Sequence, residues 1–403
     1  MKKTVAVLFG GRSAEHEISI ITGLEVLEVI DTEHYDAIPV YIDASGRWFT
    51  GERLLDREWY RGLPESRNEV QEVALLPVPG LGGLSVVPGK KGRGLSLFGA
   101  EKPQVIAVDV FFPAFHGQLG EDGCIQGLFE MADVVYTGCG VLASAVAMNK
   151  YFAKSMLHAH GIAVLPAVVV NKADAKRGLK QVRETVLKTQ GLGEFPLFVK
   201  PVNLGSSVAV SRVSDEVELD AALAKVFQHD LEALVEPCVT DLMEINVSVT
   251  ESASGPQTSV CEVPVASSGV LTYEDKYLRG GGKKGKLGGR QRLGMAGLTR
   301  VIDPENLPES IKDRARSCAC EAYRVLGCAG VVRFDFIVDT GSDTLYFNEL
   351  NPLPGSMAHY LWAESNPKRL YPELITEMIE RAIARKELQS SLKREMGFRA
   401  LFA

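Results

Sequence analysis

Between Arg333 and Ser356 the chain reads RFDFIVDTGSDTLYFNELNPLPGS, and here lie the residues whose types and spacing most invite chemistry. Arg333, Asp335, Glu349 and Asn351 sit among aromatic and β-branched residues that otherwise suit strands. Successive strand side chains point to opposite faces, so Phe334, Phe336 and Val338 share one side and Arg333, Asp335 and Ile337 the other. DTGSD supplies a turn, and TLYFNEL returns as a second strand. With the turn centred near Gly341 and Ser342, Asp335 lies opposite Glu349 to within a residue, and Asn351 shares the Glu349 face. Two carboxylates and an amide oxygen on rigid strands suit a hard divalent cation such as Mg²⁺, which keeps waters and bridges to phosphates. A solvated edge face is the alternative that this stretch alone leaves open.

A second group centres on Lys200. FVKPVNLGSSVAV places it at the end of an apolar strand, where a buried ammonium needs an anionic partner, and a phosphate would serve. FPLFVKPV and SSVAVSRV read as a hairpin, and its Gly205, Ser206, Ser207 turn offers N–H groups and hydroxyls to the same anion. No GxxxxGK[ST] loop and no GxGxxG after the first strand is present, which argues against Walker and dinucleotide sites. From Arg279 to Gly297 run eight glycines and six basic residues with no acid, a composition too poor in apolar groups to hold itself rigid. It reads either as a floppy insertion or as a lid whose charge meets phosphates on closing.

The elements that must position these groups follow a recognisable order. TVAVLFGG, a helix over RSAEHEISIITGLEVLEVID and the strand DAIPVYID form a βαβ unit of the parallel type. Residues 50 to 100 read as loop-rich, VIAVDVFFPAFHG restarts strand character, and CIQGLFEMADVVYTG is a helix leading to a strand. After a helical stretch around SAVAMNKYFAKSMLHAHGIAV come the Lys200 hairpin, a helix over VELDAALAKVFQHD, and the strands LEALVEPCV and MEINVSVT. The expected division is an N-terminal α/β domain, 1–145, a central α+β domain, 146–237, and a C-terminal domain, 238–403, bearing a loop near 275–300.

At 403 residues the chain is long enough for two or three cores, and 46% apolar with 24% charged residues is ordinary for globular proteins. A net charge of −7 argues against general nucleic-acid binding. Seven scattered cysteines without a CxxC pair suit reduced thiols of a cytoplasmic enzyme. Cys318, Cys320 and Cys328 fall in a segment, IKDRARSCACEAYRVLGCAG, that reads as an amphipathic helix, and they read as structural rather than as a zinc site. The N-terminal apolar run is too short for a signal peptide or a membrane span.

Lys150 in AMNKYFAK, Lys200, the GSS turn and the Asp335, Glu349, Asn351 cluster together resemble an ATP-grasp ligase. More narrowly, GGRSAEHEIS, HGQLGEDGCIQG, YEDKY and NPLPGS resemble, in order and spacing, the D-alanine–D-alanine ligase family. The match spans residue 4 to about 380. It implies a three-domain ATP-grasp fold and an ADP-forming ligase that joins two D-alanines through an acyl phosphate for peptidoglycan precursor. It implies ATP and two Mg²⁺ ions, with Mn²⁺ able to substitute, and a cytoplasmic homodimer without membrane or nucleic-acid partners.

Carried over by position, the resemblance gives Glu15 the first substrate's ammonium, with His116 nearby and Ser206 and Tyr277 closing that side. Lys150, Lys200 and Lys276 would contact ATP phosphates, Glu236 and Glu244 the adenine and ribose, and Asp335, Glu349 and Asn351 the metal ions. Arg333 and the Gly355 N–H would stabilise a tetrahedral oxyanion. The second substrate would meet Tyr360 and Leu361.

Two departures bear on that second substrate. Pro352 stands where the family has threonine, and Tyr360 where a serine commonly holds the second carboxylate. The stretch after Tyr277 is also longer and more basic than the family's loop. A ligase with another acceptor, D-serine, D-lactate or a specialised-metabolite amino acid, is therefore the alternative reading. A nucleotide-binding regulator without ligation is a third, against which the complete lysine and carboxylate sets weigh.

Overall fold

The computed structural model describes residues 2–63, 65–88, 104–205, 208–265 and 300–393. The expectations for Ser206, Ser207, Lys276, Tyr277 and the stretch 279–297 lie outside the described residues.

Strands β1 (Lys3–Gly10), β2 (Tyr35–Ile42), β3 (Trp48–Thr50), β4 (Gln71–Ala74), β5 (Gly83–Val86), β6 (Val105–Ala107) and β7 (Val110–Pro113) form one sheet. Its order among the described residues is β6-β5-β4-β3-β2-β1-β7. β1 pairs in parallel with β2, as the βαβ pattern predicts, and also with β7, while β3 to β6 extend the sheet antiparallel. The region expected to be loop-rich thus contributes strands. Each is three or four residues long, too short for alternation to stand out between turn residues. The strand expected after CIQGLFEMADVV is a single bridge, Tyr136 to Phe111.

From Val5 to Phe9, β1 is wholly buried, the continuous apolar run of a strand covered on both faces. Val5, Val7 and Phe9 face a core shared with helix α1 (His16–Val29), and Ala6 and Leu8 face another beneath α2 (Cys124–Ala132). Helix α1 approaches closely because a Cβ at Gly23 would lie 2.5 Å from the Phe9 side chain.

After α3 (Val141–Met148) and α4 (Lys150–Ala159), strands β8 (Val168–Asn171), β9 (Leu197–Pro201), β10 (Ser211–Val213) and β11 (Glu232–Pro237) make an antiparallel sheet ordered β10-β9-β11-β8. Helices α5 (Lys172–Arg177), α6 (Leu179–Lys188) and α7 (Glu216–Val226) accompany this sheet, α6 and α7 covering its core through Val182, Val186, Leu219 and Leu223.

The third sheet runs β14-β13-β12-β15-β16, from β12 (Leu242–Ser252), β13 (Gly255–Pro264), β14 (Arg300–Ile302), β15 (Val332–Asp339) and β16 (Thr344–Asn351). Phe334, Phe336, Val338 and Phe347 bury one face against α8 (Glu309–Val325) and against Ala153 and Leu157 of α4. A short helix α9 (His359–Trp362) and the long α10 (Tyr371–Ser390) end the described chain. Helix α10 returns to the first sheet, where Leu374, Ile375, Met378 and Ile379 enter the core of Val5 and Val7.

Candidate active site

The β15–β16 hairpin forms in the expected register, with Asp335 opposite Glu349 and Arg333 opposite Asn351. The row continues across the sheet, because Asp335 is also opposite Asn246 on β12, which is opposite Glu262 on β13. Four polar residues therefore cross four strands on the face away from the phenylalanine core. Arg333 grips Asp335 with two parallel bonds of 2.7 Å, from Nε and Nη2, and Asn351 Nδ2 donates to Asp335 Oδ2 at 3.1 Å. Burial opposes the charge of Arg333, yet Asp335 holds its pKa well above the ordinary range. The guanidinium is thus fixed in direction as well as charge.

A cleft opens over this row, lined by Lys150, Lys200, Glu236, Glu244, Asn246, Glu262, Arg300, Arg333, Asp335 and Glu349 with the apolar Phe198, Leu242 and Ile337. Lys200 finds its anion within the protein: Glu236 Oε2 lies 2.5 Å from its Nζ, and Asn348 Oδ1 is at 3.1 Å. Glu236 also binds Lys154, so one buried carboxylate from β11 aligns lysines from β9 and α4. Burial would raise the Glu236 carboxyl, but the Lys154 and Lys200 charges outweigh it and leave it below its ordinary value. Burial draws the Lys154 ammonium down to about 8 against the pull of Glu236. Lys154 was missed by sequence reasoning, although it lies four residues beyond Lys150 and hence on the same helix face. Lys150 donates to the Leu204 carbonyl and lies 3.6 Å from Glu349. Glu244 reaches the cleft from β12 beside Leu242.

A second cleft shares Lys150, Arg333 and Glu349 with the first and adds Glu15, His116, Glu121, Gly205, Asn351 and Gly355. Glu15 precedes α1 but makes no side-chain cap to it. Its carboxylate lies between two loops instead: a Cβ at Gly117 (φ +78°) would come within 2.9 Å of its Oε2, and one at Gly205 within 3.4 Å. Ser13 accepts the Glu15 N–H at 3.1 Å and donates to the His116 carbonyl at 2.7 Å. His116 Nε2 lies 2.8 Å from Thr22 Oγ1, and burial, then Arg333, push its pKa down to about 4. Burial and the neighbouring Glu15 charge push Glu121 well above the carboxylate range, and Glu121 accepts the Gly117 N–H at 2.5 Å. It was not assigned from sequence, though it lies inside HGQLGEDG.

Beyond Gly355, Ser356, Met357 and Ala358 all adopt left-handed φ near +50°, a costly run for residues with side chains. Ser356 Oγ donates to Glu25 of α1 at 2.6 Å, which ties this turn to the first sheet and sets Gly355 on the second cleft. Leu361 lies fully buried against Val260 and Ala358 and lines neither cleft. Tyr360 likewise stands behind the cleft wall, donating to Glu262 Oε1 at 3.2 Å.

Family models for the D-ala D-ala ligase N-terminus and C-terminus match residues 4–139 and 156–380. The chain belongs to the D-alanine–D-alanine ligase family. A D-alanine–D-alanine ligase of Chlorobium phaeovibrioides is 35% identical over 385 residues, covering 94% of this chain and 97% of that protein. D-alanine–D-alanine ligase A of Salmonella typhimurium is 34% identical over 400 residues, covering 98% and 100%. Among solved structures, the D-alanine–D-alanine ligase of Coxiella burnetii aligns with a TM-score of 0.74 at 27% identity, over 96% and 97% of the two chains. The VanG D-Ala:D-Ser ligase of Enterococcus faecalis gives the same TM-score and identity, over 95% and 100%. The three-sheet architecture is thus the ATP-grasp fold that the motifs imply.

Among the described residues no group of three His, Cys, Asp or Glu side chains is placed to hold a metal by itself. The hairpin supplies two carboxylates and an amide, hard oxygen donors on one strand face. Such a set fits Mg²⁺, whose remaining positions are taken by water and substrate phosphates. The seven cysteines are free thiols, with Cys318 and Cys320 on α8 and Cys328 just beyond it. Among the described residues no helix is long and apolar enough to cross a membrane.

Proposed function

We infer that this chain joins two D-alanines into D-alanyl-D-alanine, with ATP converted to ADP and phosphate, in the supply of peptidoglycan precursor. The observation that carries the reading is the pair of adjoining clefts that share Lys150, Arg333 and Glu349, in a chain similar over nearly its whole length to ligases of that name. ATP occupies the first cleft, its base toward Phe198, Leu242, Glu236 and Glu244 and its phosphates toward Lys150 and Lys200. Asp335, Glu349 and Asn351 hold two Mg²⁺ ions, which when bound neutralise charge on the transferring phosphoryl group; Mn²⁺ can substitute.

The first D-alanine lies in the second cleft, its ammonium at Glu15 beside neutral His116, with Ser206 and Tyr277 as further contacts. Its carboxylate meets the γ-phosphoryl group where the clefts join and becomes an acyl phosphate. The second amine attacks the acyl carbon, phosphate leaves, and Arg333 with the Gly355 N–H stabilises the oxyanion. Lys276 would add charge at the phosphates. We assign the units 1–145, 146–237 and 238–403 to the three sheets, with α4 lying against the third, and place the enzyme in the cytoplasm as a homodimer.

The second reading, a ligase with another acceptor, is favoured by Pro352 and Tyr360, at and just beyond the end of the hairpin, and a solved chain of similar fold is the VanG D-Ala:D-Ser ligase of Enterococcus faecalis. ADP release with Mg²⁺-ATP against D- and L-amino acids and D-lactate, with products weighed by mass spectrometry, separates the two. D-alanine alone should yield D-alanyl-D-alanine, and Arg333→Ala should abolish it while nucleotide still binds. Product only with D-serine or D-lactate present would move the chain to the second reading.

A further inference from the structure

On the reading above, the second amino acid brings a carboxylate as well as an amine, and that carboxylate needs a cation. Lys150 and Lys200 stand beside Glu349 and Glu236 at the phosphate side, and Arg333 is committed to Asp335 through two bonds. Another cation on the cleft wall is Arg300, at the opposite end of the polar row from Glu349. Its side chain is 7% exposed. Nη1 donates to Glu262 Oε2 at 3.0 Å, whereas Nη2 has no hydrogen-bond partner among the described residues. A buried guanidinium nitrogen without an acceptor is costly unless a ligand supplies one.

The neighbours of Arg300 act as a mount. Its guanidinium carbon lies 3.9 Å from the centre of the Tyr360 ring, and the Tyr360 hydroxyl donates to the same Glu262 carboxylate that Arg300 binds. Asn246 Nδ2 donates to Glu262 Oε1 at 2.9 Å, completing its support. Stacking on the ring and the bond to Glu262 set the plane and direction of the fork. Tyr360 thus spends its hydroxyl on Glu262 rather than on the cleft, a role that a short serine could not fill.

We propose that Arg300 binds the carboxylate of the second amino acid, and that Tyr360 and Glu262 are its positioning residues. The replacement of serine by tyrosine then marks a transfer of carboxylate recognition from a side-chain hydroxyl to an arginine on β14. A carboxylate-bearing acceptor is favoured over a neutral one of the same size.

The experiment uses the full-length enzyme with Mg²⁺-ATP and equal concentrations of D-alanine and D-alaninamide. The amide lacks a carboxylate, so it cannot be activated and competes only as acceptor. D-alanyl-D-alanine and D-alanyl-D-alaninamide then report how one acyl phosphate partitions, a ratio unaffected by the fraction of enzyme folded. Wild type should strongly favour the dipeptide. Arg300→Ala should shift the ratio toward the amide by roughly 30- to 100-fold, the loss of a charge-assisted hydrogen bond. Arg300→Lys should fall between, and Tyr360→Phe, which frees Glu262 without removing the cation, should shift it by less than Arg300→Ala. An unchanged ratio in Arg300→Ala, or a raised KM for ATP with the ratio intact, would overturn the assignment and give Arg300 a packing or nucleotide role. If Arg300→Ala yields too little product to measure, the Arg300→Lys ratio decides: the wild-type value speaks against the proposal and a shift toward the amide for it. Absence of both products from wild type would instead count against the ligase reading itself.

Discussion

His116 lies 6% exposed beside Thr22, and burial together with the Arg333 charge keeps its imidazole neutral down to about pH 4. In the unfolded chain the same ring takes a proton near pH 6.5. Between those values the unfolded state binds more protons, so stability is fully present above about 6.5 and is lost as pH falls toward 4, by on the order of 3 kcal/mol. Thermal melts of wild type and His116→Asn from pH 7 to 4 should show the steeper acid loss in wild type; parallel curves would remove His116 as the cause. A neutral ring here also leaves Arg333 as the positive group facing the second cleft from β15.

At the scale of elements, α4, β9 and β11 are tied by the Lys154, Glu236, Lys200 cluster, whose charges are removed from water. Glu236→Gln leaves two ammoniums facing each other and should cost about 3–5 kcal/mol, with KM for ATP raised about tenfold or more. Lys154→Met leaves one Lys200–Glu236 pair and should cost less on both counts. Urea midpoints and initial rates against ATP check the order, and a Lys154→Met variant weaker than Glu236→Gln would contradict it. The hairpin carrying Asp335 and Glu349 was legible in the sequence because its strands are joined by a short turn, so alternation alone sets who faces whom. That Lys154 and Lys200 converge on Glu236 was not legible, because they come from other elements and nothing local to VEPCV reveals it.

Across the whole molecule, the first sheet is completed by a helix from the far end of the described chain. Leu374 and Ile375 of α10 are fully buried beside Val5 and Val7, Lys386 pairs with Asp133 at 2.7 Å, and Arg385 donates to the Tyr136 carbonyl at 2.7 Å. Leu374→Ala should lower stability by about 2–5 kcal/mol, measured by urea unfolding. A loss below about 1 kcal/mol would mean that α10 merely lies on the surface of the N-terminal unit. Val331, Met357 and Trp362 enter the same core, so the strand bearing Arg333 and the turn bearing Gly355 are anchored to the sheet that carries Glu15.

The sequence by itself determined the parallel opening unit, the polar hairpin and its register, and the family, because each rests on local periodicity or on motifs of fixed spacing. Tertiary structure alone decided the partners of Lys200 and Glu236, the short strands that widen the first sheet, and the Arg300, Glu262, Tyr360 cluster. Those depend on which strands become neighbours. In the β14-β13-β12-β15-β16 order, polar residues scattered from 246 to 349 become one row, and no spacing along the chain encodes that adjacency.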